Sequence, residues 1–364
     1  MKILKKLIAV VLVCLMVFSI TGCHKKDEIA VTINGYEFTS AYYMCALINS
    51  YMEAQQLVYN DLTDEELQAT SIDYFSKKIE DKKFEQWVKD DAIETLKETA
   101  YYKTVCDKAE LKISDEDIAT NEYYASMYWA SYGYSEMFEP NGVSQATFTK
   151  YMNDSYYAEL YFEHLYGKDG EKEISAKTVK NKLYDDFLIA DILEFTKGEE
   201  TTSELNEITK KFKNYAKKLE SGDMTFEEVY NDYNDVKETE KEEEHSEDDG
   251  HDHKEPKDAY ASIIGDEGTG KEHDYYSKIK KLDVGEVKLY TKDNNEGYVL
   301  VVKQDIKADD YYLDTMDMTI RHLLKDEEYT ADMVKEATKL EPEINNYAVK
   351  QFKVKKIKEP SYAY

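Results

Sequence analysis

The sequence predicts an α+β protein, mainly helical, in which a helical region is followed by a smaller mixed domain and a long C-terminal helix. Three observations carry this. Apolar residues recur at helical spacing through the first half: Tyr43, Leu47 and Tyr51 lie four apart, and Phe84, Val88, Ala92, Leu96 and Ala100 line one face. Gly167 and Gly170 interrupt that pattern, and strand-like runs then alternate with short capped helices. A final amphipathic stretch carries Leu313, Met316, Ile320, Leu323 and Leu324.

Ile29 to Ile33 reads as a short strand, Asn34-Gly35 as a turn, and Thr39-Ser40 as the start of a helix. Thr63-x-x-Glu66 is a capping-box pattern. A long helix is expected from Lys82 to Glu110, another from Ser114, and a third after Gly142-Val143-Ser144 carrying Phe148, Met152 and Leu160. Beyond the glycines, Ser175 to Asp186 looks helical and Phe187 to Phe195 strand-like. A helix from about Ser203 should end at Ser221-Gly222, where glycine supplies a left-handed cap. Thr225-x-x-Glu228 opens a shorter one. A helix near Tyr275 to Leu282, then strands Val287 to Thr291 and Tyr298 to Ile306, complete a β-α-α-(loop)-α-β-β order. The last helix is expected over Asp309 to Leu340, before a strand-like tail from Ala348 to Ile357.

Composition excludes some functions. The formal charge is −29, so binding nucleic acid through its phosphates is excluded. Arg321 is the sole arginine, which leaves almost no bidentate phosphate or carboxylate clamp. The 33 tyrosines suit aromatic-rich grooves. Cys45 and Cys106 stand among apolar neighbours, where a free thiol behaves as a small hydrophobe; a disulfide between them stays open at this point.

The first residues look like a bacterial lipoprotein signal. Lys2, Lys5 and Lys6 precede an apolar run of 14 residues, Leu7 to Ile20. That run is short of the roughly 20 residues a membrane-spanning helix needs. Ser19-Ile20-Thr21-Gly22-Cys23 resembles a lipobox, which implies cleavage before Cys23 and lipidation of its sulfur. Two acyl chains give a stable anchor where one is marginal. The expected layout is a signal peptide over 1–22, a tether over 23–28, a helical domain over 29–170, a mixed domain over 171–307 and a C-terminal segment over 308–364.

Two stretches resemble secreted foldases of the PrsA/SurA type. Val31-Thr32-Ile33-Asn34-Gly35-Tyr36-Glu37-Phe38-Thr39 is similar to the "V-x-V-N-G-x-x-I-T" opening of their chaperone domain. Leu111 to Glu116 and Gly142-Val143-Ser144-x-x-x-Phe148 resemble its later helix entries. Over roughly 186–307 the chain resembles a parvulin-type prolyl isomerase. Ala216 to Val229 matches the family's helix pair, Leu282-x-x-Gly285-Glu286-Val287 its "L-x-x-G-E-V/I", and Gly297-Tyr298-Val299 the start of its "G-Y-H-I-I-K-V". Parvulins use two histidines. In an ungapped alignment these fall at Asp191 and Val299, a pocket methionine or leucine falls at Lys271, and Tyr275 keeps one aromatic wall. The family's Gly-Gly-Asp-Leu-Gly loop is missing, with Gly265-Asp266-Glu267-Gly268 in its neighbourhood.

The resemblance implies a helical chaperone domain completed by the C-terminal segment, with a catalytically degenerate parvulin-like domain inserted. It implies a lipid-anchored extracytoplasmic protein of a Gram-positive bacterium, whose partners are unfolded or extended secreted polypeptides. No cofactor is called for. Three other readings stay open: a working prolyl isomerase, a metal-binding lipoprotein using His245, His251 and His253, and a tyrosine-rich surface or envelope protein with no chaperone role. Those histidines sit in an acidic tract, 237–258, with almost no apolar residue, expected to be a solvated loop. A weakly held Zn²⁺ or Ni²⁺ is the ion such a composition suits.

Overall fold

The computed structural model describes residues 27–67, 72–234, 260–265, 275–292, 296–308 and 310–360. The signal segment with Cys23, the tract holding His245, His251 and His253, and Lys271 lie outside them. The chain divides into two compact units: residues up to Lys172 together with those from Lys325 onward, and Glu173–Leu324. The mainly helical α+β class read from the sequence is the class observed.

The first unit opens with a hairpin of β1 (Ile29–Ile33) and β2 (Tyr36–Thr39). Asn34 and Gly35 turn it with φ of 50° and 86°, the two positive angles that a tight hairpin turn requires. Thr39 then caps α1 (Ser40–Asn60), its hydroxyl accepting from the Tyr42 amide at 3.2 Å. Tyr43, Leu47, Tyr51, Ala54 and Val58 are buried along α1. Thr63 and Glu66 bond reciprocally at the start of the single turn α2 (Asp64–Leu67), as a capping box should. A two-residue hairpin, β3 (Lys78–Ile79) and β4 (Lys82–Lys83), takes Lys82 and Lys83 from the expected long helix, so α3 runs Phe84–Lys108. The row Phe84, Val88, Ala92, Leu96 and Ala100 is buried, as its periodicity predicted.

Ser114 caps α4 (Asp115–Ser131), accepting from the Asp117 amide at 3.0 Å. After α5 (Tyr134–Phe138), Ser144 caps α6 (Gln145–Tyr166), accepting from the Thr147 amide at 3.3 Å. Aromatic rings knit this core: Phe84 lies 5.7 Å from Tyr51, and Phe148 lies 5.6 Å from Trp129 and 5.1 Å from Phe138, centroid to centroid. Each large apolar side chain buried here contributes about 1.5–3 kcal/mol. Cys45 and Cys106 are buried and free, so no disulfide joins them. Burial raises both thiols above their ordinary value, which leaves neither as a nucleophile at neutral pH.

The second unit begins with α7 (Ala176–Asp186) and β5 (Phe187–Thr196). Thr201 and Glu204 form a capping box for α8 (Thr202–Ser221), which Gly222 closes at φ 75°. Then come α9 (Phe226–Asn234), β6 (Ala261–Gly265), α10 (Tyr276–Ile279), β7 (Val287–Thr291) and β8 (Gly297–Gln304). The strands form one antiparallel sheet in the order β6-β5-β8-β7. The edge strand β6 was not expected from the sequence. One sheet face packs Leu193, Phe195 and Leu300 against Phe212, Tyr215 and Phe226 of α8 and α9. The other packs Leu188, Ala190, Val299 and Val301 against Tyr275, Tyr276 and Ile279.

The last long helix, α11 (Tyr311–Ala337), contributes its residues up to Leu324 to this unit. There Arg321 is 2% exposed. Its Nε and Nη2 donate to Asp317 at 2.6 and 3.2 Å, and its Nη1 donates to the Ile174 carbonyl at 2.8 Å. Three bonds from one planar group explain why arginine, so rare in this chain, stands here.

From Lys325, α11 belongs to the helical unit, where the Tyr329 hydroxyl donates to the Ala158 carbonyl at 2.7 Å. β9 (Pro342–Ile344) then pairs antiparallel with β1, giving the order β2-β1-β9. The expected strand over Ala348–Ile357 is corrected. The pairing strand comes earlier, and Asn345 turns the chain into α12 (Asn346–Val349), its side-chain oxygen accepting from the Tyr347 and Ala348 amides. Phe352, Val354 and Ile357, whose apolar character suggested a strand, pack on the helical core instead. No helix among the described residues is long and apolar enough to cross a membrane.

Candidate functional site

Two places compete for function, one in each unit. In the sheet unit, β5 carries Asp191, paired across the sheet with Val302 on β8 and Ala261 on β6. Its side chain is buried, and Gln304 Nε2 donates to Oδ2 at 2.5 Å. Val299 sits on β8 opposite Glu194 and is fully buried. Side chains alternate across a strand, so Asp191 shares the face of Leu193 and Phe195 while Val299 shares that of Leu188 and Ala190. The two positions aligned with the family's histidines therefore point to opposite sides of the sheet. A one-residue change of register is enough to send a side chain to the wrong face.

Tyr275 does lie on the Val299 face. Its ring is 5.3 Å from that of Tyr290, and Lys278 Nζ stands 4.5 Å from its centroid. The buried part of this face is otherwise aliphatic or tyrosine. Among the described residues of the unit, Asp191 and Arg321 are the buried charged side chains, and neither belongs to that cluster.

The helical unit holds a cleft of about 950 Å³ between α3, α4 and α6. Leu111, Ile113 and Ile118 give it an apolar wall, and Lys112 and Glu122 stand among its lining residues. At its side lies Asp154, whose carboxylate is 9% exposed and takes Lys103 on Oδ1 at 2.7 Å and Lys150 on Oδ2 at 2.6 Å. Burial, with Asp154 as the nearest charge, raises the Tyr42 hydroxyl well above its ordinary value. Tyr36 is pushed up to about 12 by burial and by its bond to Asp107, another lining residue.

Two buried amide atoms flank this cleft without a hydrogen-bond partner: Asn153 Oδ1 on α6 and Asn121 Nδ2 on α4. Each such omission costs about 1–3 kcal/mol. Asn153 is a lining residue, and Asn121 precedes the lining residue Glu122. Beyond them α4 exposes Tyr123 and Tyr124, and Tyr132 follows just past its end, also exposed. Sequence reasoning missed Asp154 and both asparagines. The available signal is the helical spacing of Asp154 with Tyr151 and Ala158, which sets a charge on an inward face.

No protein-family model and no curated protein sequence matches the chain. Solved structures do. The chain resembles PrsA foldases. A foldase PrsA structure from Lactococcus lactis is 14% identical, with 88% of this chain and 96% of that one covered, at a TM-score of 0.39. One from Streptococcus pneumoniae is 12% identical over 67% and 81% of the two chains, at 0.38. PrsA from Bacillus subtilis is 14% identical over 72% and 84%, at 0.34.

Proposed function

We propose that this chain is a lipid-anchored extracytoplasmic foldase that holds unfolded or extended secreted polypeptides, with a sheet unit that does not catalyse prolyl isomerisation. The observation that carries the reading is a contrast between the units. The helical one has an open cleft of mixed polarity with exposed tyrosines beyond it on α4. In the sheet unit, the aligned histidine positions hold Asp191 and Val299 on opposite faces, both buried.

Isomerisation crosses a barrier of about 18–20 kcal/mol set by amide resonance. Lowering it takes a preorganised pocket around the twisted amide and hydrogen-bonding groups aimed into it. A face closed by Val299, Val301 and Ala190 supplies neither. Holding a chain asks less: apolar surface, adaptable polar groups and room, which the cleft has.

The test uses the mature chain from Cys23 in two assays, suppression of aggregation of a denatured protein and acceleration of a proline-limited refolding step. Suppression without acceleration supports the proposal; acceleration lost in Asp191→Ala would make the enzyme reading primary. For the anchor, Cys23→Ala should abolish incorporation of labelled fatty acid, and equal incorporation by both proteins would refute it.

A further inference from the structure

We infer that the helical unit lies against an anionic lipid surface through a face made by Lys78, Lys83, Lys353, Lys355 and Lys356. The inference goes beyond the holding function and takes its setting from the anchor proposed above. Two basic stretches form the face. In the first, Lys78 on β3 and Lys83 on β4 stand directly opposite each other, an arrangement that costs stability and that an anion relieves. Ile79, paired with Lys82, is buried, and side chains alternate along a strand, so Lys78 and Lys83 point to solvent. The other lysines of this hairpin region are taken, Lys77 by Glu66 and Lys82 by Asp90 at 2.8 Å. The second stretch, Lys350 to Lys358, holds five lysines and no acid in nine residues of a chain whose formal charge is −29.

The two stretches adjoin. Val354 is buried and fixes the second one to the core, which leaves Lys353, Lys355 and Lys356 exposed. Lys355 Nζ stands 5.4 Å from the Phe75 centroid, and Phe75 stands 5.2 Å from Phe84, the residue after Lys83. The acid that follows, Glu359, is engaged by Tyr51 and Gln55 of α1. Among the described residues, no carboxylate lies within 4.0 Å of any of the five lysines. The entry of the chain selects a bilayer as the partner. Asn345 Nδ2 donates to the Ile29 carbonyl at 3.0 Å, so β1 begins beside the segment that leads into the second stretch. Five residues from Cys23 to Glu28 reach at most about 18 Å, so an anchor at Cys23 holds this part of the unit close to lipid headgroups. There each lysine strengthens binding about fivefold.

The test uses the unlipidated chain, residues 24–364, sedimented with vesicles of phosphatidylcholine alone or mixed with phosphatidylglycerol. The wild type should bind the mixed vesicles and not the neutral ones, and raised salt should release it. Lys78→Gln, Lys83→Gln and Lys356→Gln together should weaken binding on the order of a hundredfold, three factors of about five. The melting temperature should not fall, because the opposed lysine pair is gone. The matched control is Lys210→Gln, Lys213→Gln and Lys217→Gln, which removes the same charge from the exposed side of α8 in the other unit. It should leave binding within about threefold of the wild type, since charges away from the bilayer are screened. Equal losses in the two triple variants would mean diffuse attraction without a face. Failure to bind the mixed vesicles, or binding to polyglutamate in preference to them, would mean that lipid is not the partner. Each of these results overturns the inference. None of them bears on the anchor, because this chain carries no lipid; the fatty-acid labelling of Cys23→Ala decides that separately.

Discussion

Lys103 and Lys150 share one carboxylate, yet removing them should have very different effects. Lys103 is 18% exposed and Lys150 58% exposed, against 9% for Asp154. Exposed i,i+4 pairs contribute less than about 1 kcal/mol, whereas breaking a buried pair by deleting one partner costs about 3–5 kcal/mol. Lys103→Met leaves Asp154 with Lys150 alone, so the lower half of that range applies. It also removes an ammonium 5.2 Å from the Tyr157 centroid and 5.8 Å from that of Tyr36. The expected loss is about 3–4 kcal/mol for Lys103→Met and under about 1 kcal/mol for Lys150→Met. Pairing Lys103→Met with Asp154→Leu should recover part of it, because an apolar pair carries no desolvation penalty. Urea unfolding followed by tryptophan fluorescence reports this unit selectively, since both tryptophans, Trp87 and Trp129, are buried in it. Equal losses for the two lysine variants would refute the assignment of Asp154 and Lys103 as the interior pair.

Other outcomes follow from the same geometry. Burial, then Asp91, Glu94 and Glu53, raise the carboxyl of Glu98. A raised acid binds more protons folded than unfolded, so its penalty grows as pH rises from its ordinary value through the raised one. Glu98→Gln should therefore stabilise the helical unit at pH 7 by at least the ~0.2–0.5 kcal/mol of a like-charged i,i+4 pair, and less at pH 5; a loss at pH 7 would contradict this. Truncation after Leu340 removes β9 and exposes the core beneath Ala348 and Val354, each 1% exposed. It should lower stability by at least about 2 kcal/mol in the same fluorescence assay, and an unchanged urea midpoint would count against the β1–β9 pairing. Deleting residues 237–258 should leave the melting temperature unchanged in metal-free buffer, since that acidic tract carries almost no apolar side chain. A rise of several degrees with stoichiometric Zn²⁺, seen only in the undeleted chain, would establish His245, His251 and His253 as ligands.

Most helices were legible because their signals are local. Ser114, Ser144 and Thr225 announce helix starts within three residues, Gly222 marks an end, and the row from Phe84 to Ala100 repeats over five turns. What the sequence hid depends on distant partners. β6 is five residues long and gains its identity from β5, across more than sixty residues of chain. β9 is a strand because β1 offers an edge some three hundred residues away. The alignment points to Asp191 and Val299, but which face each occupies follows from the β5–β8 register, with Asp191 opposite Val302 and Glu194 opposite Val299. Asp154 looked like one more surface acid until α6 turned it inward beside Lys103.

The most direct test of the central claim is the refolding of a ribonuclease limited by prolyl isomerisation, followed in increasing amounts of the mature protein. A chain that holds unfolded polypeptide without isomerising it should leave the slow rate constant unchanged while its amplitude falls with each equivalent added. Acceleration of that phase at a small fraction of an equivalent would mean that the sheet unit catalyses, and the account given for Asp191 and Val299 would be wrong.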